Sequence, residues 1–261
     1  IYIAGIFHRF FRFHSSTSEH LIPSQVSKLS ILLPFLQPSK MVDAVIPKPG
    51  HDRQFYFFSG TQYATIEFET GGDGTSDKLA GGPHWARTYW ATFREADWGS
   101  ADAVIPIPGY TDNFLVFHGG HYFRLKIDNN KDTMLYNGVV TIESGWKPLV
   151  DAGFDTVDAG IADPKDDDKL FFFRGTKCLK YSYSETKVVA GPKPISSYWP
   201  GIGKAGFDSI DAIFKSPNPG NSYYVFKGDK YARIKWDGGW DSLEYGPSII
   251  SETWSSLKAW V

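Results

Sequence analysis

A short motif occurs four times in this 261-residue chain, and its internal spacing is constant. Each copy begins with an Asp-Ala pair, and a glycine follows seventeen positions after the aspartate. The paired positions are Asp43 and Gly60, Asp102 and Gly119, Asp158 and Gly175, and Asp211 and Gly228. Successive aspartates lie 59, 56 and 53 residues apart, so the length varies outside the constant segment. A period near fifty residues with constant cores and variable loops is typical of propellers and repeat arrays.

Other residue types recur in phase with this motif. Each glycine ends an aromatic run, and later in each unit a tryptophan precedes an apolar residue by three positions; these tryptophans are Trp90, Trp146, Trp199 and Trp254. A Gly-Pro pair places proline seven residues before the tryptophan in three units, whereas Val139 occupies that position in the second. The four segments are therefore predicted to fold as equivalent structural units.

Within a unit, the residue pattern predicts β-strands. In the fourth unit, residues 209–214, 222–227 and 231–236 are rich in aromatic and β-branched residues, and turn-forming Pro, Gly and Asp separate the first two segments. The segment from the proline to the tryptophan suits a short outer strand or one to two helical turns. Each unit is predicted to be one four-stranded antiparallel blade with a short terminal helix.

Four such blades predict an all-β protein, a small four-bladed β-propeller. The blades would span about residues 41–95, 96–151, 152–205 and 206–261. The strand that holds Asp-Ala is predicted to be innermost, because a crowded centre accepts the small alanine. The tryptophans are predicted to fill the gaps between blades.

Composition is typical of an ordered protein and limits its partners. The chain is 42% hydrophobic and 16% aromatic, with a formal net charge of only -2. This balance gives no general electrostatic reason to bind nucleic acid or an anionic membrane, and we predict neither as a partner. The single cysteine, Cys178, stands where the other units have tyrosine, and we predict a buried structural thiol. One cysteine forms no internal disulfide, which favours a reducing compartment.

Residues 1–40 differ from the rest of the chain. They contain four basic residues and one acid, are rich in serine, and hold no copy of the repeat. Three interpretations remain open: a transit-type extension, an arm that packs its phenylalanines on the propeller, or translated upstream sequence, since Met41 stands where a start codon would be. We expect this segment to be disordered or missing from the mature protein.

Two longer segments carry a family resemblance. The segment Tyr-Val-Phe-Lys-Gly-Asp-Lys-Tyr-Ala-Arg-Ile at 224–234 and the segment Gly-Pro-Lys-Pro-Ile-Ser-Ser-Tyr-Trp-Pro-Gly-Ile at 191–202 are similar to the hemopexin repeat. Residues 41–261 more closely resemble the seed albumin-2 family of legumes, which has a free-standing, four-bladed hemopexin fold. The resemblance covers all four units and is specific for fold, but a fold hosts many functions.

The four repeated aspartates are the candidate metal site. A propeller would bring Asp43, Asp102, Asp158 and Asp211 to one ring, where carboxylates or backbone carbonyls could hold a hard cation. The resemblance implies a calcium site at this end of the central tunnel. The alternative is that each aspartate accepts backbone hydrogen bonds from the neighbouring blade and maintains strand register.

Ligand sites are less well defined by the sequence. His118 and His121 flank a predicted hairpin turn, and Asp166 and Asp167 belong to the densest acidic run, which also holds Asp163 and Asp168. A solvated turn and a solvated loop are the alternative interpretations. The resemblance implies spermine as a ligand, hemin as a ligand of some members, and a homodimer as the assembly; a histidine as the axial ligand of hemin stays open. The acidic run and the abundant aromatic residues suit a polyamine.

The sequence contains none of the nucleophile-elbow, zinc-protease or phosphate-loop motifs, and we predict that the protein is not an enzyme. The leading functional hypothesis is a cytosolic seed albumin that binds small ligands and stores nitrogen. One alternative is a protein-interaction module like the hemopexin domains of extracellular metalloproteases. Those domains close their ring with a disulfide, whereas this ring is expected to close by packing alone. The other alternative is storage without a specific ligand.

Overall fold

The fold consists of four antiparallel sheets, each built from four consecutive strands. The computed structural model describes residues 41–70, 76–258 and 260, all within one compact unit. The expectations for residues 1–40 lie outside this described part. In every sheet the strands are paired in sequence order, first to fourth. The predicted four-bladed propeller with four-stranded blades is therefore confirmed.

The strands have similar lengths at equivalent positions. The first blade holds β1 (Ala44–Pro47), β2 (Gln54–Ser59), β3 (Gln62–Phe68) and β4 (Asp77–Trp85). The second holds β5 (Ala103–Pro106), β6 (Asn113–His118), β7 (His121–Asp128) and β8 (Lys131–Thr141). The third holds β9 (Ala159–Asp163), β10 (Asp166–Arg174), β11 (Lys177–Ser182) and β12 (Lys187–Pro194). The fourth holds β13 (Ala212–Lys215), β14 (Ser222–Lys227), β15 (Lys230–Asp237) and β16 (Trp240–Ile249).

The same strand register occurs in all four blades. The alanine of each Asp-Ala pair lies opposite the phenylalanine two residues before the repeated glycine, as in Ala44 with Phe58 and Ala212 with Phe226. The second and third blades repeat this pairing. Because a shift of one residue would turn every side chain to the opposite face, the constant spacing in the sequence reflects one register.

Short helices follow the fourth strand of each blade. They are α1 (Ala86–Tyr89), α2 (Ala91–Ala96), α3 (Ile142–Gly145), α4 (Lys147–Asp151), α5 (Ile195–Tyr198), α6 (Pro200–Lys204) and α7 (Ile250–Thr253). Each of the four repeated tryptophans lies just after the first helix of its blade. In the described part of the chain, no helix has the length and apolar character required to cross a membrane.

The apolar core lies between the blades, in four clusters that each contain one repeated tryptophan. Trp199 of the third blade contacts Tyr223 and Trp236 of the fourth, with ring centroids 5.7 and 5.0 Å apart. Trp254 of the fourth blade contacts Phe57 and Phe68 of the first in the same way. The prediction that the tryptophans fill the gaps between blades is confirmed.

An aspartate links blades at three of the four junctions, and two of the three, Asp77 and Asp241, are buried. At the start of the outermost strand, Asp77, Asp132 and Asp241 each accept a hydrogen bond from a backbone amide of the preceding blade. The donors are Ser256, Thr92 and Gly201, at 2.9, 2.6 and 2.7 Å respectively. Each donor lies two residues after the repeated tryptophan, so one geometry serves three junctions.

The remaining junction, between the second and third blades, lacks this hydrogen bond because proline replaces the donor residue. Two residues after Trp146 is Pro148, which has no amide hydrogen to donate. The strand register places Thr186, rather than an aspartate, at the corresponding position of the third blade. This junction therefore has neither the aspartate acceptor nor the amide donor of the other three.

The ring closes between the fourth and first blades through polar contacts as well as packing. Asp77 accepts from the Ser256 amide, the Trp260 indole donates to Gln62, and the Arg53 guanidinium donates to Asn218 at 2.7 Å. These contacts join residues up to 198 positions apart. The expectation of closure by packing alone is wrong, because hydrogen bonds from buried and partly buried groups join the two ends of the ring.

Candidate functional site: the central tunnel

The four innermost strands surround a tunnel that is narrow at one end and wide at the other. β1, β5, β9 and β13 are the first strands of their sheets, and each contacts the innermost strands of the two adjacent blades. The four repeated alanines line the narrow part, whose cavity volume is about 10 Å³. That volume is close to the size of one water molecule. A single small ion or water is the largest occupant that the constriction accepts.

The repeated aspartates do not direct their carboxylates toward one another. The Oδ2 atom of each accepts a hydrogen bond from the glycine amide seventeen residues later, at distances of 2.5 to 2.7 Å. This glycine starts the tight turn between the second and third strands and has a positive φ of 51 to 57°. The constant spacing of Asp and Gly is therefore explained by a hydrogen bond that fixes this turn to the innermost strand.

This geometry revises the alternative interpretation of the aspartates. They accept backbone hydrogen bonds as expected, but the donor lies in the same blade rather than in the neighbouring one. Within the described part of the chain, no three acidic, histidine or cysteine side chains are grouped so that they could hold a metal ion. A tunnel cation would therefore need backbone carbonyl oxygens, and the calcium site stays a prediction.

The carboxylates differ in burial, and this predicts graded effects of mutation. We expect Asp211→Ala to lower the free energy of unfolding by about 2–3 kcal/mol, because it leaves the buried amide of Gly228 without an acceptor. Asp102→Ala should cost about 1 kcal/mol or less, since the side chain is 41% exposed and water reaches the Gly119 amide.

Urea denaturation of both variants, with and without calcium, measures this difference. If the role is the turn hydrogen bond, the loss in Asp211→Ala is the same in both conditions. A loss that appears only with calcium would instead assign this carboxylate to a metal site.

The wide end of the tunnel is a largely apolar cavity of about 400 Å³ that receives residues from all four blades. Its apolar lining includes Val45, Pro47, Phe55, Pro106 and Ile213. A volume of this size is within the usual range of small-molecule sites. The cavity and the constriction share Val45 and Ile213, so they lie along the same tunnel.

Five polar side chains line this cavity, and they are Asp163, Asp167, Lys215, Ser216 and Tyr223. Asp163 is buried, and its Oδ2 lies 2.5 Å from the Lys180 ammonium. Burial, with a smaller contribution from the Asp163 charge, raises the pKa of Tyr223 to about 12, so its hydroxyl stays protonated. Asp167 is an exposed carboxylate at the cavity and, among the described residues, forms no ion pair. Beside its apolar wall the cavity thus holds one carboxylate, Asp167, and one ammonium group, Lys215, and neither forms an ion pair with a described residue.

The acidic run is therefore not a single anionic patch. Asp166 pairs with Lys169, and this contact lowers the pKa of the carboxyl group. Asp168 accepts hydrogen bonds from the Ser182 hydroxyl and the Ser184 amide, which lower its pKa in turn. Of the two predicted ligand residues in this run, only Asp167 reaches the cavity.

His118 and His121 lie directly opposite each other across the two-residue turn between β6 and β7. The Nδ1 atom of His118 is 3.7 Å from an Asp102 carboxylate oxygen, and its ring lies 5.2 Å from that of Trp98. His121 is exposed. The structure thus brings the two histidines together at a turn and places neither in the lining of the wide cavity.

Cys178 is fully buried between the third and fourth blades, as predicted. Burial raises the pKa of its thiol to about 12, and the Lys180 ammonium opposes this shift. Because the thiolate is the nucleophilic form, the thiol is held in its unreactive state.

Comparison with known proteins agrees with this architecture. The hemopexin family model matches residues 157–204, which contain the third repeat. Albumin-2 of Pisum sativum is 31% identical over 113 residues, which are 41% of this chain and 48% of the pea protein. The chain thus spans about half the length of the curated relative that it matches.

Solved structures match over more of the chain. The hemopexin-fold protein CP4 of cow pea covers 85% of this chain and 99% of its own, with a TM-score of 0.73 and 21% identity. A plant lectin with two metal-binding sites from Cicer arietinum covers 84% and 98%, with a TM-score of 0.74 and 22% identity. These identities support the fold alone. The chain is a four-bladed propeller of the hemopexin fold that is similar in sequence to the albumin-2 proteins of legumes.

Proposed function

We propose that this protein is a cytosolic seed albumin that binds small ligands at its tunnel and also serves as a nitrogen reserve. Spermine is the ligand proposed for the wide cavity, and calcium is proposed for the constriction. The observation that carries this proposal is the largely apolar cavity of about 400 Å³ with the Asp167 carboxylate, which pairs with no cation among the described residues. Similarity to legume albumin-2 supports the seed-albumin assignment.

A polyamine suits the wide cavity for electrostatic and steric reasons. Its methylene chain would lie on the apolar wall formed by residues such as Phe55 and Ile213. One ammonium group would approach Asp167, while Asp163 remains occupied by Lys180. The faces of aromatic rings add a cation–π attraction of about 0.5–1 kcal/mol where they are exposed.

Calcium suits the constriction because the inner strands are edge strands. Half of the backbone groups of an edge strand have no partner in their own sheet, and β1, β5, β9 and β13 converge with such edges on the axis. Their carbonyl oxygens are the hard ligands that calcium prefers. Bound calcium would pin the four inner strands to one another. The metal sites named for the lectin of Cicer arietinum support a metal site in this fold.

Charge reversal at the cavity tests the polyamine site. We expect Asp167→Lys to weaken spermine binding by about tenfold, because an attraction becomes a repulsion at a partly exposed site. Asp237→Lys is the matched control, since Asp237 is an exposed aspartate outside the cavity. Isothermal titration of spermine into the full chain measures both variants. Equal affinity in the two variants would exclude the wide cavity as the polyamine site.

Hemin is the second proposed ligand, and a homodimer is the proposed assembly. Titration of hemin by absorbance, with and without saturating spermine, shows whether the two ligands compete, and light scattering reports the oligomeric state. Calcium at a hundredfold excess over its Kd should add about 2.7 kcal/mol to the free energy of unfolding. Storage without a specific ligand is the better assignment if spermine gives no heat of binding, hemin shows no change in absorbance and calcium leaves the free energy of unfolding unchanged.

A further inference from the structure

We propose that a second cavity, lined by residues of the second blade, binds small planar carboxylates through the guanidinium of Arg124. This cavity has a volume of about 460 Å³ and contains Arg124, Tyr122 and Tyr136 in its lining. It shares no lining residue with the wide end of the tunnel. This cavity would bind an anion, whereas the wide end of the tunnel would bind a cation. The two proposals therefore do not depend on each other.

Arg124 is a partly buried cation that has no carboxylate partner in the described part of the chain. Among the ion pairs of the described residues, none involves Arg124. Its Cζ atom lies 5.0 Å from the ring centroid of Tyr136 and 5.9 Å from that of Tyr183. The tyrosine rings contact the side chain, and none of its five N–H donors forms a hydrogen bond with another described residue, so these donors can bind an acceptor. A guanidinium fixed in this way is preorganised to bind a carboxylate with two parallel hydrogen bonds.

The fourth blade contains the same arrangement with the charge neutralised. Arg233 occupies the position equivalent to Arg124, lies 5.8 Å from the Tyr245 ring and forms an ion pair of 2.8 Å with Glu244. In the fourth strand of each blade, Met134 and Leu243 are equivalent, because they pair with equivalent residues of the third strand, Leu125 and Ile234. The residue after each is therefore equivalent too, so Leu135 corresponds to Glu244. The second blade therefore keeps the arginine and the tyrosine but replaces the acid with leucine.

A glycine opens the floor of the cavity in the second blade alone. The residue before the repeated tryptophan is Tyr89, Tyr198 or Thr253 in the other blades and Gly145 here. A Cβ atom at Gly145 would clash with the Tyr122 hydroxyl oxygen. Gly145 therefore lets the Tyr122 hydroxyl occupy the floor of the cavity, where it adds a hydrogen-bonding group beside the guanidinium.

Tyr136 is held over Arg124 in an unfavourable backbone conformation. Its φ of 59° lies in the left-handed region, which costs a non-glycine residue about 1–2 kcal/mol. Its side chain is 78% exposed, so burial of the ring does not offset this cost. The ring of Tyr136 contacts the guanidinium of Arg124, which lies 5.0 Å from the ring centroid. The ring thus forms a flat outer wall against which a planar ligand would lie.

Benzoate is the probe for this site, and benzamide is its neutral analogue of the same shape. We expect benzoate to bind the full-length protein saturably at low ionic strength in saturation-transfer NMR, and benzamide to bind at least about tenfold more weakly. A site that recognises only the aromatic ring would bind both equally, which would overturn the proposal.

Three variants assign the binding to Arg124. Arg124→Gln should weaken benzoate binding by about ten- to a hundredfold, the range for loss of a charged hydrogen-bonding partner. Arg233→Gln is the matched control and should change it less than about twofold. Leu135→Glu copies the fourth blade, so its carboxylate should pair with Arg124 and abolish binding while the fold is retained.

Circular dichroism and the thermal midpoint confirm that each variant is folded before binding is compared. Loss of binding in both Arg124→Gln and Leu135→Glu, with binding retained in Arg233→Gln, supports the site. Binding that persists in folded Arg124→Gln, or no binding of benzoate to the wild type, overturns it.

Discussion

Replacing Trp254 by alanine is expected to lower the free energy of unfolding by about 3–5 kcal/mol, the largest effect among the substitutions considered. Trp254 is fully buried and contacts the rings of five aromatic residues, with centroid distances of 5.3 to 5.7 Å. Two of these rings, Phe57 and Phe68, belong to the first blade, so the cavity left by alanine would open at the junction that closes the ring. The indole N–H has no hydrogen-bond partner among the described residues, so the loss is one of packing.

Trp240→Ala is the matched control for this substitution. Trp240 lies in the fourth blade too, but its side chain is 77% exposed. Its replacement should change the free energy of unfolding by about 0.5 kcal/mol or less. Urea denaturation of the wild type and both variants measures the two effects. Similar losses in the two variants would contradict the assignment of the junction core as the main source of ring stability.

Asp241→Asn is expected to stabilise the protein by about 1–3 kcal/mol at pH 7 and to have little effect near pH 4. Burial raises the pKa of the Asp241 carboxyl group from 3.8 to about 6, although its hydrogen bond from the Gly201 amide opposes this shift. Between these two values the folded state binds more protons than the unfolded state. Stability from this group therefore decreases as the pH rises from about 4 to about 6, and an uncharged asparagine removes that loss while its Oδ1 still accepts from Gly201.

The test compares urea denaturation of the two proteins at pH 4, 5, 6 and 7. Other carboxyl groups, such as those of Asp166 and Asp168, have lowered pKa values and produce the opposite slope, so the difference between variant and wild type is the quantity to follow. Asp237→Asn, at an exposed position, should show no such difference. If Asp241→Asn were less stable than the wild type at pH 7, the negative charge itself would be required at this junction.

The fold was predictable because its information is local and repeated. The Asp–Gly spacing of seventeen residues corresponds to one hydrogen bond and one tight turn, and it occurs in every blade. The apolar alternation and the turn residues specified the strands. In the fourth blade the first strand begins at Ala212, three residues later than predicted, because the backbone bends at Asp208, Ser209 and Asp211 before the strand starts.

The candidate sites were only partly predictable. The ring of aspartates follows from the repeat, yet whether their carboxylates face a metal or a backbone amide depends on side-chain direction, which spacing does not specify. Asp77, Asp132 and Asp241 were missed because their partners lie 40 or 179 residues away. An aspartate at the same place in three outer strands, absent where Pro148 removes the donor, is the sequence pattern that could have identified them.

The sequence by itself determined the number of blades, their strand register and the position of the tryptophans, because each depends on residue patterns within one repeat of about fifty residues. The tertiary structure alone decided how the ring closes and, for residues 41–70, 76–258 and 260, which carboxylate at the wide cavity and which arginine form no ion pair. Those properties depend on pairs such as Asp163 with Lys180 and Arg233 with Glu244. Whether a charge is paired depends on the distance and direction between side chains of different strands, and folding of the chain sets both.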